Sequence, residues 1–200
     1  MRNPRNEHDQ ESSWVSASQR GDSQAFNHIV LKWEKTIYNV AVRMLEDREE
    51  AAEATQDVFM LAFKNIRRFR NDSRFSTWLY RIVLNHCLTR IRQRPRGIHL
   101  SLDDENSRAG TIKEMRVAEN QNRELWRSER HEWVHGALLR LPADLRAVVE
   151  LKFIQEMTFD EVGAILEIPV STVKSRVYSA LELLKTRIGN KRGKYEIRML

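Results

Sequence analysis

"TFDEVGAILEIPVSTVKSRVYSALELLKTRI", residues 158–188, holds two helical patterns with one break between them. Thr158 and Glu161 form a capping box, in which a hydroxyl and a carboxylate each satisfy a free N–H at a helix start. Val162, Ile165 and Leu166 follow as an apolar stripe. Pro169 then disfavours helical geometry at Ile168. The second run places Val173, Val177, Leu181, Leu184 and Ile188 three or four residues apart, as one packed helix face requires. Two short helices around a tight turn predict a helix-turn-helix. Gly163 would let the two helices approach closely, although the turn itself has no glycine.

The second of these helices opens with Ser171, Thr172, Lys174, Ser175, Arg176 and Ser179. Short donors and cations at a helix N-terminus can reach base edges and phosphates in a major groove. Between residues 170 and 194, seven Lys and Arg oppose the single acid Glu182. A solvated bundle helix would share that charge, but not the order of polar residues first and apolar residues later after a tight turn.

Upstream, "FRNDSRFSTWLYRIVLNHCLTRIRQRPR" (69–96) is helical from about Phe75 to Arg94 and stops at Pro95 and Gly97. From 64 to 96, ten Lys and Arg face Asp72 alone, and Phe69, Phe75, Trp78 and Tyr80 are interleaved with them. Basic surfaces with aromatic faces suit single-stranded nucleic acid. Trp78, Leu79, Ile82, Val83, Leu88 and Ile91 also fit inward positions, so the basic surface is the stronger part of this signal. Residues 46–57 have the opposite sign, with six acids and only Arg48. They suit a helix N-terminus, or a docking face for a basic protein. Val58, Phe59, Leu61, Ala62 and Ile66 are the apolar positions of that helix.

The rest of the chain sets limits. Its 200 residues carry a formal charge of +6 and a pI near 9.7, which favours an anionic partner. Cys87 is the only cysteine, so no internal disulfide can form. No stretch approaches eighteen consecutive apolar residues and the N-terminus has no apolar signal core, so a cytoplasmic location is expected. Seven Gly, four Pro and long 3.6-residue periods predict an all-α chain. The motifs GxxxxGK[ST], GxGxxG and HExxH are absent. His131 and His135 could share a helix face but lack further ligands. No metal, cofactor, small-molecule substrate or catalytic residue is expected. The domains expected are a disordered N-terminus over 1–13, a helical domain over 14–95, a flexible polar linker over 96–125, a helix-turn-helix domain over 126–190 and a basic tail over 191–200.

Taken in order, TQDVF, F-x-x-x-x-F-x-T-W-L-Y-R-I, a linker and T-V-K-S-R resemble the extracytoplasmic-function (ECF) group of bacterial sigma-70-type factors over about residues 14–190. The resemblance implies two helical domains, regions 2 and 4. It implies docking of Gln56, Asp57 and Phe59 on core RNA polymerase, through its β′ and β subunits. Arg70, Asn71, Asp72, Ser73, Arg74, Phe75, Trp78, Arg81 and Asn85 would open promoter DNA at the −10 element and hold a flipped base. Ser171, Thr172, Lys174, Ser175, Arg176 and Ser179 would read the −35 element. An anti-sigma factor is a further implied partner. The competing expectation is a stand-alone helix-turn-helix regulator, which would leave the acidic and arginine-rich stretches without a role.

Overall fold

The computed structural model describes residues 4–70, 73–94 and 136–196, with side chains at 4–8 and 187–196 excepted. It contains seven α-helices among these residues: α1 Pro4–Gln19, α2 Ser23–Leu45, α3 Arg48–Asn65, α4 Phe75–Gln93, α5 Ala143–Val149, α6 Phe159–Leu166 and α7 Val170–Glu196. A short 3₁₀ turn, Ile66–Arg68, follows α3, and α5 runs on into a π turn over Glu150–Ile154. The described residues contain no strand, in keeping with the all-α expectation.

Local chemistry sets the helix ends. The Asp22 carboxylate accepts from the N–H groups of Gln24 and Ala25 at 2.9 and 3.0 Å and starts α2. Asp47 starts α3 by accepting from Glu50 N at 2.8 Å. Thr158 and Glu161 form the expected capping box at α6, with Glu161 N donating to Thr158 Oγ1 at 3.2 Å and Thr158 N donating to Glu161 Oε2 at 2.9 Å. Gly163 is required where α6 meets the turn, because a Cβ there would stand 3.0 Å from the Ile168 carbonyl oxygen. In place of a turn glycine, Glu167 adopts a left-handed conformation at φ 56°, at a cost of about 1–2 kcal/mol for a residue with a Cβ.

α1–α4 pack into one unit and α5–α7 into a second, and α5 and α6 seat directly on α2 and α4. A single apolar core runs through both, from Val15 and Ile29 through Leu79 and Leu84 to Leu151, Ile165 and Val173. Cys87 is fully buried within it, and burial pushes its thiol pKa up to about 12.

Several expectations are corrected. The N-terminal segment is helical from Pro4, a residue suited to a first helical turn. Glu11 ties that helix to α2 by accepting from Trp33 Nε1 at 2.6 Å and pairing with Lys32 at 3.0 Å. At the other end, α7 continues to Glu196, so the expected basic tail begins as helix. Arg74 caps α4 with no side-chain cap bond. On α7, Ala180 is buried while Leu181 is exposed, so the inward face runs Val173, Val177, Ala180, Leu184. The expected linker over 96–125 and the His131–His135 pair lie outside the described residues.

Candidate functional site

Three surfaces carry the residues singled out by the sequence. The first is a groove of about 480 Å³ between α3 and α4. Leu61, Asn65 and Arg68 line one side, and Trp78, Ile82, Asn85, His86 and Thr89 line the other. Trp78 is half-buried at its mouth, held against Phe69 and Phe75 at ring-centroid distances of 5.4 and 5.5 Å. Phe69 and Phe75 are themselves buried and meet edge-on at 84°. Gln19 Nε2 donates to the carbonyls of Ile66 and Phe69 and so fixes the start of this loop. Phe75 therefore supports Trp78 from the core and offers no face to a ligand. Arg70, Ser73, Arg74 and Asn85 are exposed, while Asn71 and Asp72 lie outside the described residues. Asn65, Arg68 and Thr89 were missed in the sequence. They share no motif, and only the packing of α3 on α4 brings them together.

Arg81 stands apart from the groove. Its guanidinium donates to the Ala164 carbonyl oxygen and pairs with Glu167 at 3.3 Å, both in the second unit. A residue expected to meet DNA is thus engaged between the two units.

The second surface is α3. Gln56 is exposed. Asp57 is half-buried and pairs with Arg90 at 2.7 Å. Arg90 also reaches Glu53 at 3.4 Å, and Arg94 binds Glu50 at 2.5 Å. Much of the acidic stretch is therefore neutralised by α4 instead of standing free for a basic partner. His86 sits 3.4 Å from Asp57, and its Nε2 accepts from Arg90 Nε at 3.0 Å. Burial, then the Arg90 charge, hold its pKa below the ordinary 6.5 against the opposing pull of Asp57. Phe59, expected to dock, is buried in the core. The exposed apolar residues are its neighbours Met60, Leu61 and Phe63, at 55, 39 and 46% exposure. Their exposure was hidden in the sequence because α3 carries apolar residues on more than one face.

The third surface is the early part of α7. Ser171, Lys174, Ser175 and Ser179 are exposed, and Thr172 and Arg176 are half-buried. Ser175 Oγ donates back to Thr172 O at 3.0 Å, Lys174 Nζ lies 5.8 Å over the Phe159 ring, and Arg176 pairs with Asp144 at 3.4 Å. Tyr178, 68% exposed between Ser175 and Ser179, joins this face. Sequence reasoning passed over it because an aromatic in a helical pattern ordinarily signals core.

Comparison with known proteins matches the same two units. Sigma-70 region 2 matches residues 29–97 and sigma-70 region 4 matches residues 131–184. RNA polymerase sigma-H factor of Pseudomonas aeruginosa is 33% identical over 180 residues, covering 88% of this chain and 92% of its own. The ECF RNA polymerase sigma factor SigW of Bacillus subtilis is 34% identical over 176 residues, covering 87% of this chain and 94% of its own. Among solved structures, CnrH in complex with the cytosolic domain of CnrY superposes with a TM-score of 0.65 at 21% identity, covering 90% of this chain and 98% of that one. The sigma factor RpoE of Bartonella quintana, solved with the anti-sigma factor NepR, gives a TM-score of 0.60 at 22% identity, covering 82% of this chain and 96% of that one. The chain belongs to the extracytoplasmic-function group of sigma-70-type RNA polymerase sigma factors.

Proposed function

We propose that this sigma factor binds core RNA polymerase in the cytoplasm, through Gln56 and the exposed apolar residues Met60, Leu61 and Phe63 of α3. It then places two DNA-facing surfaces on a promoter. The α3–α4 groove, with Trp78 at its mouth and Asn65, Arg68 and Asn85 around it, has the size and chemistry for a base extruded from the −10 element. The early face of α7 suits the −35 element. Extruding a base costs a few kcal/mol of unstacking, which aromatic and basic contacts offset. Sigma factors are not enzymes, and the polymerase performs the chemistry.

The observation that carries this reading is the presence of two separate DNA-suited helical faces in one chain together with an exposed apolar run on α3. A stand-alone regulator needs only the helix-turn-helix of α6 and α7. CnrH was solved with the cytosolic domain of CnrY and the Bartonella RpoE with the anti-sigma factor NepR, and a protein of the latter kind is the expected regulator here. No described helix is long and apolar enough to cross a membrane. Run-off transcription with added core polymerase on a pool of random promoters tests the reading. Core-dependent transcripts sharing two sequence elements are expected, and their absence with folded protein would reject it.

A further inference from the structure

We propose that Gln19, the last residue of α1, is a positioning residue for base capture: it fixes the aromatic wall of the α3–α4 groove so that Trp78 is held ready for a base extruded from promoter DNA. This role rests on the reading of the groove given above. A glutamine amide carries two N–H donors, and Gln19 Nε2 directs them at two backbone carbonyls, of Ile66 at 3.1 Å and of Phe69 at 2.6 Å. Ile66 opens the 3₁₀ turn and Phe69 follows its last residue. The Ile66 carbonyl also accepts from Phe69 N at 3.1 Å, the bond that closes the turn. Unwinding the turn would therefore break the closing bond and both Gln19 bonds. The Phe69 side chain, 7% exposed, backs Trp78 at 5.4 Å and meets Phe75 at 5.7 Å. Any shift of the Phe69 backbone thus moves the ring behind Trp78, and it also re-aims the exposed Arg70 that comes next.

Gln19 can hold the turn because it is itself held. Trp14 of α1 stacks on His28 of α2 at 5.1 Å and 20°, and Glu11 bonds Trp33 and Lys32. Ser18, 2% exposed, donates its hydroxyl to the Trp14 carbonyl at 2.7 Å. Directly after Gln19 the chain turns, with Arg20 N donating to Ala17 O and Gly21 N to Ser18 O, each at 3.0 Å. Gly21 adopts φ 100° in that corner, a conformation open to glycine and strained for a residue with a Cβ. A Cβ at Gly21 would stand 3.4 Å from Arg67 Nη2, so the guanidinium of the middle residue of the 3₁₀ turn lies against the same corner. Gln19 is half-buried and its amide nitrogen is committed to the turn. It therefore acts through Phe69 and Trp78 and not by contact with DNA. A glutamate of the same shape would set carboxylate oxygens against two carbonyl oxygens, acceptor against acceptor, and would release the turn.

Two measurements on the full chain test this. In the first, wild type and Gln19→Glu are each combined with core polymerase and titrated with −10 fork DNA probes carrying one abasic site at successive non-template positions. Wild type should show one position at which loss of the base weakens binding about tenfold, as expected when a single base stacks on an aromatic ring. Gln19→Glu should cut that penalty below about threefold, while its affinities for core polymerase and for duplex −35 DNA stay within about twofold of wild type. In the second, amide hydrogen exchange of the free protein should speed up at least about tenfold at Phe69 and Arg70 in the variant and stay unchanged in the middle of α2, because only a local opening has been made easier. If Gln19→Glu does not fold, Gln19→Ala, which removes the donors without adding charge, carries both measurements. A folded variant that keeps the full abasic penalty overturns the positioning role. Equal losses on every probe and for core polymerase overturn it too, because they mark a residue that only stabilises the fold. If wild type itself shows no abasic penalty at any position, the reading of the groove as a base site fails instead. The exchange measurement then decides the clamp alone, and unchanged exchange at Phe69 and Arg70 overturns it.

Discussion

Asp57 and Met60 lie three residues apart on α3 and separate two kinds of contribution. The Asp57 carboxylate is committed to Arg90 within the chain, so reversing its charge would disturb α3 against α4 as well as any partner. Met60 is 55% exposed. Met60→Glu should therefore lower core-polymerase affinity at least tenfold while shifting stability by no more than about 0.5 kcal/mol, as surface changes do. Asp57→Asn should cost up to about 1 kcal/mol of stability, the range for a half-exposed ion pair. Equilibrium binding to core polymerase and urea unfolding measure the two effects. Equal core affinity for Met60→Glu and wild type would remove the exposed apolar face from the docking surface. His86 adds a pH effect. Its folded pKa is below 6.5, from burial first and Arg90 second. The fold therefore favours the neutral ring, and this contribution is fully present above pH 6.5 and is lost as pH falls through the depressed value. Urea unfolding of wild type and His86→Gln between pH 7.5 and pH 5 should show the wild type losing more stability on acidification. Parallel pH profiles would contradict that placement.

At the scale of the element, the early face of α7 is the proposed −35 surface, and its side chains differ in how free they are. Lys174 and Tyr178 are exposed, whereas Arg176 is half-buried against Asp144. Lys174→Ala should cost about 1–3 kcal/mol in −35 binding and relax preference at one or two positions if it reads a base edge. If it contacts phosphate, the loss should instead be uniform across sequences, with a shallower salt dependence. Arg176→Ala should in addition disturb the α5–α7 contact. Fork and duplex binding by both variants at several salt concentrations distinguishes these outcomes, and unchanged −35 binding by both would reject α7 as the reader. The helix-turn-helix was legible in the sequence because its signals are local: a capping box, a glycine, a proline and a spacing. Phe59 and Phe75 were harder. Helical spacing gives a period but not the direction of the core when two faces carry apolar residues, so Phe59 went inside and Met60 and Phe63 outside. Arg146 and Glu150 read as an unremarked i,i+4 pair. Their partners Met44 and Arg43 lie 102 and 107 residues away in sequence, and only the docking of α5 on α2 joins them.

For the whole molecule, the two units sit in contact, but two promoter elements one to two helical turns apart require them to separate. One turn is about 34 Å. The 30 residues expected to link the units, 96–125, can reach at most about 100 Å when fully extended. That reach covers the gap with slack for a path through the polymerase. Its length, and not its order of residues, should therefore be what matters. Scrambling 96–125 at constant composition should leave promoter opening close to wild type. Deleting about half of it should abolish simultaneous engagement of both elements, because the second contact loses its effective concentration once the linker cannot span the sites. Each unit should still bind its own element weakly. Run-off transcription and permanganate reactivity of −10 thymines on both variants measure opening. A half-length linker that opened the promoter as well as wild type would show that the two units do not bridge the elements as separate bodies.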